Sequence, residues 1–299
     1  MFYYRRKIIL ALLELFGRKL SATQLQKYLF LFTRKQQGQC AFDFVPYKYG
    51  CFSFQANQDV YTLSKYGYLT ITDDETKEIS LTHPTNYMFE LDMFDQQAMR
   101  DIYEQFGCLS QNDLIRYTYI RYPFYAINST IAERILTPDE LQKVADQRRK
   151  LSDIQLFTIG YEGRTLEEYL KRLIINDIHV LCDVRKNAYS QKFGFSKSQL
   201  ENACNGIGIQ YIHIPELGIE SNQRQDLYTQ QDYDNLFAQY SQTTLLQNSI
   251  ALQYVYDLIQ KNKRVALTCF EKNPHQCHRH IIAKALLKLP NTNYTLNNL

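Results

Sequence analysis

Cys269, His275, Cys277, His278, Arg279 and His280 lie within twelve residues of one another, in the segment VALTCFEKNPHQCHRHII (265–282). The segment holds two of the chain's seven cysteines and three of its six histidines. A thiolate can act as a nucleophile, an imidazole can move protons near neutral pH, and a guanidinium can hold an anion through a two-pronged fork. An apolar, strand-like run ends at Cys269. A polar loop with Pro274 follows, and Cys277-His278-Arg279 opens a helix-like stretch. Open α/β folds carry their chemistry where a strand end faces a helix start, because free N–H groups and the helix dipole point at the ligand.

Three further strand-like runs end on groups of the same kind. Glu162 and Arg164 follow the first, Asp183 and Arg185 end the second, and Glu216 follows the third. Glu271 leaves the fourth with Cys269. If these runs form a parallel sheet, their ends share one edge and the residues converge on one crevice. Glu162, Asp183, Glu271, Cys277 and His278 are the candidate catalytic groups. Arg164, Arg185 and Arg279 are the candidate anion ligands. Cys269 is a candidate nucleophile, with a buried inert cysteine as the commoner alternative. The arginines could instead pair internally with the nearby carboxylates and organise loops. Zinc is the alternative use of the Cys/His cluster. Zinc sites usually set ligand pairs on both sides of a longer loop, and only one cluster is present, so no metal or cofactor is expected. The Gly160–Gly163 pair lacks the glycine pattern of a dinucleotide site, which argues against a nicotinamide cofactor.

The 299-residue length suggests two domains. Hydrophobic content of 45% and charged content of 22% describe an ordinary soluble protein. A net charge of +3 selects no partner, but residues 1–72 carry ten Lys/Arg against three Asp/Glu. That surplus suits a polyanion such as DNA or RNA, or else a solvated face. No run approaches the roughly 18 apolar residues of a membrane span, and nothing at the start resembles a signal peptide. Scattered, odd-numbered cysteines then suggest a reducing cytoplasm with unpaired thiols.

The elements that must position these groups follow from periodicity. Residues 6–16 and 21–32 are spaced as helices, the second capped by Ser21. A loop with the run PYKYGCFS leads to a third helix over 54–66, then to two alternating strands around Asp73-Asp74. Three helices and a ribbon form the order of a winged helix, so residues 1–85 are expected as a winged-helix-like α+β domain. Lys48, Tyr49, Gln55, Asn57, Gln58 and Lys65 are its candidate nucleic-acid contacts. Residues 86–150 read as a helical connector, and the run RYTYIRYPFY (116–125) suits either base stacking or packing. From Leu156 onward strands and helices alternate, so residues 151–299 are expected as an α/β domain, a mainly parallel sheet flanked by helices.

The stretches FTIGYEGRTLEEYL, VLCDVRKNAYS, YIHIPELG and VALTCFEKNPHQCHRHIIAKAL, in that order, resemble the domain of unknown function 488 family over about residues 157–287. Ile219 stands where members of that family often have a second glycine after PELG. The resemblance implies a fold and a shared pocket and no reaction. The strand–Cys–loop–helix arrangement is also similar to rhodaneses and cysteine phosphatases, but the nine residues between Cys269 and Arg279 make a longer loop than a phosphatase uses.

Together these features predict a nucleic-acid-associated enzyme, a hydrolase or transferase acting on a phosphate-bearing nucleotide or a base. The alternative is a winged-helix regulator whose α/β half senses an anionic small molecule. A third reading has the first domain bind protein.

Overall fold

The computed structural model describes residues 3–74, 76–83, 86–224, 227–290 and 292–299. The chain divides into two compact units, residues 1–148 and 149–299. Among the described residues, no helix is long and apolar enough to cross a membrane.

The first unit opens with helix α1 (Tyr4–Leu15), strand β1 (Lys19–Ser21) and helix α2 (Ala22–Lys35). A hairpin of β2 (Val45–Tyr47) and β3 (Gly50–Phe52) follows, then α3 (Phe54–Lys65), β4 (Leu69–Ile71) and β5 (Glu78–Leu81). Strands β1, β5 and β4 form an antiparallel sheet in that order. The three expected helices are present, whereas β1 and the β2–β3 hairpin are too short to show an alternating pattern. Ser21 caps α2 as expected, exchanging hydrogen bonds with Gln24 in a capping box.

Helices α4 (Met93–Phe106), α5 (Gln111–Arg121), α6 (Ala132–Ile135) and α7 (Pro138–Ala145) complete the unit. In the stretch expected as a connector, Met99, Ile102, Phe106 and Leu114 enter the same core as Leu25, Leu29 and Leu63. The tyrosines of RYTYIRYPFY pack inward: Tyr119 is buried, and Tyr122 and Tyr125 meet the ring of Phe30 edge-on at 5.0 and 4.7 Å. Buried Lys27 gives its Nζ protons to the carbonyls of Tyr49 and Cys51, and so ties the hairpin to α2. Gly50 is required there: its φ is +90°, and a Cβ would lie 2.4 Å from a ring carbon of Tyr119.

The second unit is α/β, as expected. Its elements are β6 (Gln155–Gly160), α8 (Leu166–Ile175), β7 (Val180–Asp183), α9 (Lys197–Asn205) and β8 (Gln210–His213). Then come α10 (Gln230–Gln242), α11 (Thr244–Gln247), α12 (Ser249–Asn262), β9 (Arg264–Cys269), α13 (Arg279–Leu287) and β10 (Thr295–Asn298). The helical stretch after β8 breaks at Thr243, where the backbone leaves helical angles. The sheet order is β10-β6-β9-β7-β8 and every pairing is parallel. Strand β9 is central and wholly buried, as its unbroken apolar run requires. The register sets Gly160 beside Cys269 and Asp183 beside Thr268, so the C-terminal ends of β6, β9 and β7 lie together.

Candidate functional site

Backbone contacts first fix the loop that leaves β9. The carbonyl of Phe270 accepts from the amides of Tyr161 and Glu162, at 3.1 and 2.9 Å. The Glu162 carboxylate accepts from the Lys272 amide at 2.8 Å. Gly160 permits this approach, since a Cβ there would sit 1.9 Å from the carbonyl oxygen of Glu271. Pro274 and Asn273 then turn the chain so that Cys277 and His278 come back over the strand end.

Cys269, Cys277 and His278 are all buried, and their Sγ, Sγ and imidazole nitrogen atoms lie within 4.8 Å of one another. The Nδ1 of His278 stands 3.9 Å from the Cys269 sulfur. Its Nε2 is 2.8 Å from the carbonyl oxygen of Val184, which can only accept, so Nε2 carries a proton. Arg224 approaches the same Nδ1 at 3.5 Å and pairs with Glu271 at 2.8 Å. A hydrogen bond from the Cys277 thiol, with the adjoining His278 and Arg224, holds the Cys269 thiol well below its ordinary pKa, against the effect of burial. Burial and the neighbouring Cys269 push the Cys277 thiol well above its own. The two thiols are thus pushed in opposite directions by their contact. Burial, reinforced by Cys269, raises the pKa of Glu271.

A crevice of about 210 Å³ opens onto this cluster, lined by Tyr161, Arg185, Ile219, Arg224, Cys269 and His278 among others. A broader groove of about 560 Å³ shares Lys186, Asn187 and Tyr189 with it and adds Lys197 and His213. Tyr161 stacks on Phe195 at 4.4 Å and forms one wall.

The structure brings together Cys269, Cys277, His278 and Glu271, and corrects the roles expected of several neighbours. Arg185 is 5% exposed and grips Asp183, with Nε 2.8 Å from Oδ1. Its Nη1 donates to the Tyr161 hydroxyl and the Phe195 carbonyl. Asp183 is fully buried and also accepts from Tyr211, so neither partner of this pair is free to hold an anion or move a proton. Arg279 is 1% exposed and donates to the carbonyls of Glu271 and Lys272. These bonds commit its Nη1 and Nη2 to the loop, while its Nε is buried without a hydrogen-bond partner among the described residues. Arg164 donates to the main-chain oxygen of Leu299, and Glu162 is spent on the Lys272 amide. Of these arginines, only Arg279 bonds to the carbonyls of the loop after β9; Arg185 and Arg164 serve Asp183, Phe195 and Leu299 elsewhere. Arg224 is the group that sequence reasoning missed. It sits in a short helical turn within the polar stretch SNQR, which carries no periodic or motif signal.

In the first unit, Gln58 and Lys65 are exposed on α3, Asn57 is half-buried, and Lys48 and Tyr49 are exposed at the hairpin turn. Gln55 instead bonds to Asp59, which also receives Arg5 and Arg6. Lys7, Lys19 and Lys35 pair with Glu90, Glu78 and Asp101. Much of the basic surplus is thus neutralised within the unit.

No curated protein matches the chain. Residues 165–286 match the family model described as Domain of unknown function DUF488. The span takes in Asp183, Cys269, Cys277 and His278, and leaves β6 with Tyr161 and Glu162 outside. Over that span the second unit is similar to the DUF488 family, as the order of its four motifs implied.

Proposed function

We propose that the second unit is an enzyme acting on a phosphate-bearing nucleotide or a nucleic-acid base, and that the first unit docks on nucleic acid. The observation that carries this reading is the opening of one crevice onto Cys269, His278 and Arg224, with Cys277 and Glu271 in contact with them. Two sulfurs and an imidazole buried together at a strand end form a reactive centre, because burial away from water leaves their charge unscreened. The inner crevice is smaller than the roughly 300 Å³ at which pockets for whole ligands begin, so it accepts part of a nucleotide. The rest lies in the outer groove, where Lys197 supplies positive charge for a phosphate and Lys186 pairs with Glu220 at 3.1 Å. This moves the anion seat away from Arg185 and Arg279. On the first unit, exposed Gln58 and Lys65 of α3 and the Lys48-Tyr49 turn are the surface offered to nucleic acid.

The test is turnover by the full chain of a set of nucleoside monophosphates and short oligonucleotides, followed by mass spectrometry of products. Cys269→Ser abolishes the reaction, and Lys197→Ala raises KM with kcat little changed. Wild-type chain that turns over none of the set, or a Cys269→Ser variant with undiminished rate, removes the enzyme reading.

The regulator reading draws on a separate observation: Asp183 and Glu271, whose partners Arg185 and Arg224 line the crevice, are both ion-paired. A sensor needs no free general base. It would yield no product, and an anionic ligand would instead change the affinity of the chain for DNA.

A further inference from the structure

The cluster of Cys269, Cys277 and His278 has the donor set and the spacing of a metal site. We propose that these three side chains bind a zinc ion, with the fourth coordination position facing the crevice. Ligand atoms on a tetrahedral zinc, at about 2.0–2.3 Å from the ion, stand roughly 3.5–3.8 Å apart. The Cys269 sulfur and His278 Nδ1 are 3.9 Å apart, and all three donors lie within 4.8 Å of one another. Small side-chain rotations close that difference.

His278 is held as a metal ligand is held. Its Nε2–H is committed to the Val184 carbonyl at 2.8 Å, so the lone pair of the neutral ring is on Nδ1, toward the two sulfurs. Arg224 and Glu271 pair with each other beside the cluster, at 2.8 Å. A divalent ion bound there takes the place of the thiol protons of its two sulfur ligands. Glu271 Oε2 is buried without a hydrogen-bond partner among the described residues. Cys269 and His278 line the crevice, so the fourth position opens toward an entering substrate. Three protein ligands and one open position are the pattern of catalytic rather than structural zinc. Catalytic use of the ion rests on the enzyme reading above; its binding does not.

The experiment uses the full chain, stripped with chelator under reducing conditions and titrated with Co2+ and then Zn2+. One equivalent of Co2+ produces a thiolate-to-cobalt charge-transfer band in the near ultraviolet with the visible bands of a tetrahedral ion, and Zn2+ displaces it. Cys269→Ser and Cys277→Ser each weaken binding at least tenfold, whereas Cys40→Ser and Cys108→Ser, at exposed cysteines, leave it unchanged. In the unmodified chain, Zn2+ protects Cys269 and Cys277 from iodoacetamide, as mapped on peptides, and this holds even where a variant fails to fold. Absence of the band at one equivalent, its survival in Cys269→Ser, or equal alkylation of both cysteines with and without Zn2+ overturns the proposal. A band without nucleotide turnover leaves the metal site standing and removes the enzyme reading. Turnover undiminished in the stripped chain removes the catalytic use of the ion.

Discussion

Arg185 and Asp183 show how a pair of charged side chains can be spent on architecture. Each is taken out of water, and each is tolerated there only because the other satisfies it, with Tyr161, Phe195 and Tyr211 taking the remaining bonds. Arg185→Met leaves Asp183 buried and uncompensated, and is expected to cost about 3–5 kcal/mol in urea unfolding. The double variant Arg185→Met/Asp183→Leu recovers a large part of that loss, which distinguishes a structural pair from an anion seat. Lys27 has the opposite problem, a buried amine with carbonyl partners and no carboxylate. Burial lowers its pKa from the ordinary 10.5. Between the lowered value and 10.5 the unfolded chain holds a proton that the folded chain has released, so stability rises with pH across that window. Thermal melts of wild type against Lys27→Met should show this rise in wild type alone.

At the scale of elements, the central strand and the loop after it make the site. Strand β9 is buried along its whole length and carries Cys269 to the edge where β6 and β7 also end. The loop from Phe270 to Cys277 is held at its start by the amides of Tyr161 and Glu162, and from behind by Arg279. The site therefore depends on two segments more than a hundred residues apart in sequence. In the first unit the corresponding elements are α3 and the β2–β3 hairpin. If they meet nucleic acid through phosphates, Lys65→Ala and Lys48→Ala each weaken binding of a duplex oligonucleotide. Each also reduces the slope of log K against log salt by about one. Unchanged slopes in both variants would point to a protein partner.

At the scale of the whole molecule, two units of nearly equal length are joined at exposed, basic residues. Residues 145–152 are exposed, and Arg148-Arg149-Lys150 offers consecutive tryptic sites. Limited trypsin digestion of the native chain is expected to cut first in this run and to leave two resistant halves. Early cleavage inside either unit, before this run is cut, would contradict that expectation.

The alternation of strands and helices after Leu156, the helix-period stripes before residue 66 and the strand ending at Cys269 were all legible in the sequence, because periodicity and apolar runs report which face is buried. The pairing of Asp183 with Arg185 and the turning of Arg279 onto backbone carbonyls were not legible. Residue type states what a guanidinium can bind, and only packing decides which acceptor reaches it first. Arg224 enters the site from a polar turn with no pattern of its own. Strand β10 joins the sheet edge through Thr295–Asn298, a run too polar to announce a strand. Composition and spacing determined that sulfur and imidazole would gather at the end of a strand. The tertiary structure decided which charges remained for chemistry, because burial forces every ionised group to find a partner and leaves over only those it cannot satisfy.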